Sequence, residues 1–192
     1  MNAYSGPRAE ETAGALTRSR RSLDFESMWR SLCGEATVPA RADFRPAKAA
    51  RFLSEIVLLE IPNEPDRRMT VRVVGTAVDA RLQINIVQQD YLQYLPERYR
   101  DGGWRSVRLM IDHPCGLWQI TNLHYERGTS NLVEMTFFPL RGPEGGPNFI
   151  LSHLNFIGMG SDGMQKIRAI AADTARTFQF LDVGAGVPAW LG

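Results

Sequence analysis

Three apolar runs follow one another closely in the second half of the chain, at residues 117–125, 132–140 and 148–157. The connections between them, 126–131 and 141–147, are dense in Gly, Pro, Asn and Ser, the residues that tight turns require. Such spacing predicts three consecutive antiparallel strands. In the middle run Val133, Met135 and Phe137 alternate with Glu134 and Thr136, which predicts a strand with one buried face.

The first half supplies helices and a strand pair. Phe25, Met28, Trp29 and Leu32 recur at i, i+3, i+4 and i+7, and Gly34 provides a stop, so an amphipathic helix is expected from about Asp24. Pro46 suits the first position of a second helix, whose apolar face would be Ala49, Phe52, Leu53 and Ile56. Residues 56–61 and 69–74, joined by a Pro-Asn-Glu-Pro-Asp turn, read as a hairpin. Short helical turns are expected over 76–95. Trp104, Val107 and Ile111 mark a further helix, ended by Pro114 and Gly116. Met164, Ile167 and Ala171 suggest a C-terminal helix capped near Ser161 or Asp162. The expected fold is α+β: a five-stranded antiparallel sheet with helices on one face, plus flanking N- and C-terminal helices. The chain divides into a flexible tail (1–21), a domain with its N-terminal helices (22–160) and a C-terminal helix with tail (161–192).

A chain of 192 residues can bury a real core. Its net charge of +1 provides no global field to recruit nucleic acid or an anionic membrane. Of 22 basic residues only Lys48 and Lys166 are lysine, a bias read as compositional. Cys33 and Cys115 lie far apart and form no disulfide framework or metal spacing. The N-terminus lacks the apolar core of a secretory signal, and no apolar run reaches the roughly 18 residues of a membrane span. A cytoplasmic location is expected.

Several motifs occur in a fixed order: Trp29 on the first helix, then Pro39-Ala40-Arg41-Ala42-Asp43 before Pro46, then Arg72-Val73-Val74-Gly75-Thr76 closing a strand. With the strand pair, intervening helices and meander, this series over roughly residues 24–157 resembles the PAS domain superfamily, and more narrowly its short stand-alone bacterial members. One stretch departs from that pattern. After Gly-Thr those proteins carry a Gly-x-Asp-Leu-Thr-Gly type turn, whereas here the residues are Gln83-Ile84-Asn85-Ile86-Val87-Gln88, with Pro96 in place. Glutamine would strain a turn that needs φ > 0, so a locally different loop is expected.

The resemblance implies signal reception in a pocket between sheet and helices, and no catalysis. Ligand-pocket candidates are Trp104, Arg108, Ile111, Trp118, His124, Met135, Phe137 and Phe156. The candidates for contact with a protein partner are Phe25, Met28, Trp29 and Leu32 on the first helix. A homodimer, a signalling protein partner and a small-molecule ligand are the expected associations; nucleic acid and metal are not. The cofactor is left open. Flavin chemistry through a photoreactive cysteine would need an Asn-Cys-Arg-Phe type motif, which the helical region lacks.

The alternative reading is a small cavity enzyme using His124 or His153 as acid or base. Against it, acidic residues are scattered without an evident pair. The cluster His113-Pro114-Cys115-Gly116 reads as a turn ending a helix, since a nucleophilic cysteine needs an oriented base. The glycines at 184 and 186 are not followed by the helix that a dinucleotide loop requires.

Overall fold

The computed structural model describes residues 17–63, 66–125, 130–157, 169–172 and 177–188. Helix α1 (Arg20–Arg30) begins inside the segment read as tail, because the Ser19 side chain accepts from the Ser22 N–H at 3.1 Å and caps it. Three 3-10 turns follow, at Arg41–Asp43, Pro46–Ala49 and Leu53–Glu55. The helix expected after Pro46 is therefore two short turns. Phe52 N–H bonds the Ala49 carbonyl and Glu55 N–H the Phe52 carbonyl, a three-residue pitch that puts both Ala49 and Phe52 fully out of solvent.

Strands β1 (Ile56–Ile61) and β2 (Thr70–Val74) form the expected antiparallel hairpin. Next come α2 (Thr76–Leu82), a 3-10 turn at Tyr91–Tyr94 and α3 (Glu97–Asp112). The meander is β3 (Cys115–Tyr125), β4 (Ser130–Leu140) and β5 (Asn148–Ile157). Two further strands, β6 (Ala169–Ala172) and β7 (Thr177–Asp182), both pair antiparallel with β3, β6 at 123–125 and β7 at 115–120. Among the described residues the sheet has seven strands, ordered β2-β1-β5-β4-β3-β6 with β7 also on β3. Ala171 lies in β6, which corrects the expected C-terminal helix where it is described. Ser161, Asp162, Met164 and Ile167 lie outside the described residues, as does the 1–16 stretch of the expected tail.

Alternation along the strands sorts the core into two layers. On the inner face, Val57, Leu59, Val133, Met135, Phe137, Ile150 and Leu154 meet α2, α3 and the Tyr91–Tyr94 turn. On the outer face, Ile56, Leu58, Trp118, Ile120, Phe138, Leu140 and Leu151 meet α1 and the turns that follow it. Both faces of β4 are therefore covered. The expectation of one buried face fails because Glu134 and Thr136, at 1% and 0% exposure, are roofed by α1.

The Gln83–Gln88 loop also differs from expectation. Gln83 (φ 55°) and Gln88 (φ 66°) both adopt the left-handed conformation that glycine would take most readily. Their side chains hold them there: Gln83 Nε2 donates to the Ala80 carbonyl, and Gln88 Oε1 accepts from Arg72 Nη1 at 2.7 Å. The turn survives without its glycines.

Gly75 joins β2 to α2, and its N–H bonds the Ile56 carbonyl at 2.8 Å. A Cβ there would lie 2.4 Å from the Leu53 carbonyl oxygen and 2.5 Å from Ser54 backbone atoms. Only glycine lets the start of α2 approach the Leu53–Glu55 turn this closely. The motif's Arg72 forks onto Glu60 at 2.6 and 2.8 Å across the hairpin. In the earlier motif the Asp43 carboxylate accepts from the Ala40 N–H, while the Arg41 guanidinium lies over Phe44 and Phe149. These signature residues hold turns and strand ends in place.

Candidate functional site

The inner layer does not close completely. Between β1, β3, β4 and β5 below and α2 with the Tyr91–Tyr94 turn above lies a cavity of about 60 Å³. Its floor includes Val57, Leu59, Val133, Met135, Phe137 and Leu154; its roof is Val78, Leu82, Ile84, Ile86, Tyr91 and Tyr94. Thr121 and Ser152 bring the floor's only hydroxyls. The Ser152 hydroxyl is committed to the Val57 carbonyl at 2.9 Å. Burial pushes the Tyr91 hydroxyl up to about 12, so it stays neutral. Among the described residues this wall carries no histidine, cysteine or carboxylate.

A second space of about 230 Å³ adjoins it, between α3 and strands β3, β4 and β7. Leu59, Tyr91 and Phe137 belong to both walls. Its lining also carries Arg98, Tyr99, Ser106 and Gln119, whose amide donates to Met135 Sδ at 3.6 Å. Together the two spaces approach the low end of the roughly 300–1,000 Å³ occupied by small-molecule sites.

The opposite face is tightly locked. Trp29 stacks on Phe138 with ring centroids 4.8 Å apart, and its Nε1 donates to the Pro139 carbonyl at 2.9 Å. The buried Glu134 carboxylate accepts from Ser19 N–H (2.8 Å), Trp118 Nε1 (2.8 Å), Asn155 Nδ2 (2.9 Å) and the Ser19 hydroxyl. Burial alone would push that carboxyl up, but the hydrogen bonds from Asn155, Ser19 and Trp118 together hold it below its ordinary value. Ser22 and Thr136 share a hydrogen bond at 2.7 Å. His153, fully buried, stacks on Phe25 and meets the edge of Phe52. Its Nε2 lies 3.1 Å from Glu55, which also receives Arg21 from α1. Burial lowers the His153 pKa despite that carboxylate.

The residues expected at the pocket divide accordingly. Met135 and Phe137 line the cavity. Phe156 packs beside the inner core with the Arg81 guanidinium 4.6 Å above its ring. Trp104 is buried in the inner core on α3, outside both walls. Arg108 pairs with Asp112 at 2.7 Å, and Ile111 borders a separate depression beside Pro114 and Pro139. Trp118 turns to the outer face, where it serves Glu134. His124 lies two positions beyond Asn122 on that same side of β3, and His153 lies in the α1 interface, so the sheet separates both histidines from the cavity. The parity of the strands, invisible until register is fixed, decides each of these placements.

The partner-contact candidates lie on the face of α1 that meets the sheet. Phe25 and Trp29 are 0% exposed and Leu32 5%, buried against the chain's own sheet, with Met28 half-buried beside them. Their apolar stripe is already occupied. Sequence reasoning missed the cavity roof and the ring of Ser19, Glu55, Glu134 and Asn155. One signal for two-sided burial was present: Phe137 and Phe138 are adjacent, and large apolar neighbours in a strand need cover on both faces.

His113 caps the end of α3 and Cys115 opens β3. Burial pushes the Cys115 thiol up to about 11, far from a thiolate at neutral pH. Among the described residues no group of three or more His, Cys, Asp or Glu could hold a metal ion. No helix among them is long and apolar enough to cross a membrane.

A protein-family model described as "PAS domain" matches residues 17–155. No curated protein matches the sequence. Among solved structures, the chain is similar to the Rhodobacter sphaeroides LOV protein at 8% identity, over 76% of this chain and 72% of that one, with a TM-score of 0.43. A point variant of RsLOV gives 9% identity, 77% and 74% coverage and 0.43. The RsLOV d2 variant gives 8%, 76% and 72%, and 0.42.

Proposed function

The chain belongs to the PAS domain family, a family of sensory modules, and from that premise we propose that it is a ligand-responsive regulatory module whose receptor site is the inner-face cavity. The observation that carries this reading is the unfilled apolar space between the sheet and α2, in a molecule whose other face meets α1 through stacked rings and buried hydrogen bonds. Protein interiors leave few voids larger than a water molecule, and an apolar one stays dry while able to take an apolar guest. A guest here would press on Met135, Phe137 and Ser152. The next residues along those strands, Thr136, Phe138 and His153, face α1. Occupancy thus bears on α1 through the strands themselves, and the response is read as a change in how firmly α1 is docked, passed on to a signalling partner.

The test combines native mass spectrometry with hydrogen exchange. The expected result is that protein purified without denaturation carries a small molecule that unfolding releases, and that removing it changes exchange over residues 20–30. If the protein is empty, and no fraction of a metabolite extract alters exchange in α1, the receptor reading fails.

A further inference from the structure

Helix α3 contains Gly102 and Gly103 in its interior, each costing about 1 kcal/mol of helix propensity relative to alanine. Gly103 has a packing reason: a Cβ would come within 2.8 Å of Leu95 Cδ1. Gly102 has none, since a Cβ there would meet nothing within 4 Å. It borders the 230 Å³ space beneath α3, one turn from Arg98 on one side and from Ser106 on the other. The missing side chain keeps that space open at its rim.

Among the described residues Arg98 is the only charged residue on this wall. Its guanidinium lies 4.6 Å above the Tyr99 ring and has no carboxylate within ion-pair distance among them. Asp101, a neighbour on α3, is taken by Arg67. The rest of the wall is mostly apolar, with Leu95, Val107 and Met110 beside Tyr91 and Phe137, which it shares with the inner cavity, and with the Gln119 amide donating to Met135 Sδ at 3.6 Å. The space therefore combines one exposed cation with a mostly apolar wall.

We propose that this space admits an aliphatic carboxylate, its head group on Arg98 and its chain running under Gly102 past Tyr91 toward the inner cavity. This rests on the receptor reading above and names the ligand class for it. An arginine fork matches a carboxylate geometrically, and a neutral alcohol of the same length would use only the apolar part.

Calorimetric titration of the full chain with decanoate and with 1-decanol, both below their aggregation concentrations, tests it using Arg98→Gln and Gly102→Leu. Leucine favours helix at position 102, so this variant retains its fold, checked by thermal unfolding. The expected result is that decanoate binds the wild type, Arg98→Gln weakens it roughly tenfold while sparing 1-decanol, and Gly102→Leu abolishes both. Equal binding of acid and alcohol, indifferent to Arg98→Gln, would overturn carboxylate recognition and leave the cavity reading standing. Binding that survives Gly102→Leu would overturn the location. Failure of both compounds to bind the wild type would overturn the proposal, whereas the receptor reading is judged separately by α1 exchange.

Discussion

The two faces of the sheet are built from alternate residues of the same strands, yet they are finished differently. On the outer face aromatic rings stack and each oxygen of the buried Glu134 has donors. On the inner face the side chains are mostly apolar and a cavity remains. Directional contacts specify one arrangement, whereas apolar walls tolerate several. A single sheet can therefore be rigid toward α1 and looser toward the cavity.

The largest break in this contrast comes from Trp29→Ala, which removes a fully buried ring and the bond to Pro139. It should cost about 3–5 kcal/mol in urea unfolding and release α1 to rapid hydrogen exchange. Glu134→Ala should follow, at about 2–4 kcal/mol, because it strands the Trp118 and Ser19 donors in the interior. Glu134→Gln should recover part of the loss.

Adding volume should separate the faces next. Ala49→Val in the closed outer core is expected to cost about 1–3 kcal/mol, while Val133→Ile, pointing into the cavity, should be neutral or stabilising by up to about 1 kcal/mol. Equal costs at both sites would remove the distinction.

Acid should act on the outer face as well. His153 has a lowered pKa in the fold, mainly through burial, so below its ordinary 6.5 the unfolded chain binds a proton that the folded chain refuses. Glu55 is also lowered: burial raises it, but Arg21 and His153 together outweigh burial. Between its folded pKa and 4.5 the unfolded chain again takes up more protons. Both signs agree: stability falls as pH drops, first below about 6.5 through His153 and then below about 4.5 through Glu55 and Glu134. Denaturant midpoints across pH 4–8 check this, and His153→Gln should flatten the upper limb. The smallest effect is expected from Gln83→Gly or Gln88→Gly, each relieving left-handed strain by about 1 kcal/mol, offset by the side-chain bond it removes.

What could be read from residues alone followed from short-range physics. The hairpin and meander were legible because turn residues and alternation are local, and β5 carries the boundaries expected for it. The apolar stripe of α1 was equally plain, but a stripe states that a helix needs cover and not which surface gives it. Glu134 looked like a solvent-facing residue because its partner Ser19 lies 115 positions away. In β6 the sequence Ala-Ile-Ala-Ala has no alternation to oppose a helical reading. Phe178 and Phe180 flanking Gln179 did carry the period of a strand in β7. The cavity was illegible, since a void is a property of register and roof together.

At Gly75 the backbone of α2, which roofs the cavity, touches the backbone of the Leu53–Glu55 turn, whose last residue anchors Arg21 and His153. This contact runs around the rim of the sheet rather than through it, and no flexible side chain cushions it. The roof of the cavity and the mooring of the helix behind it thus share a single main-chain seam, so a substitution at Gly75 strikes both at once.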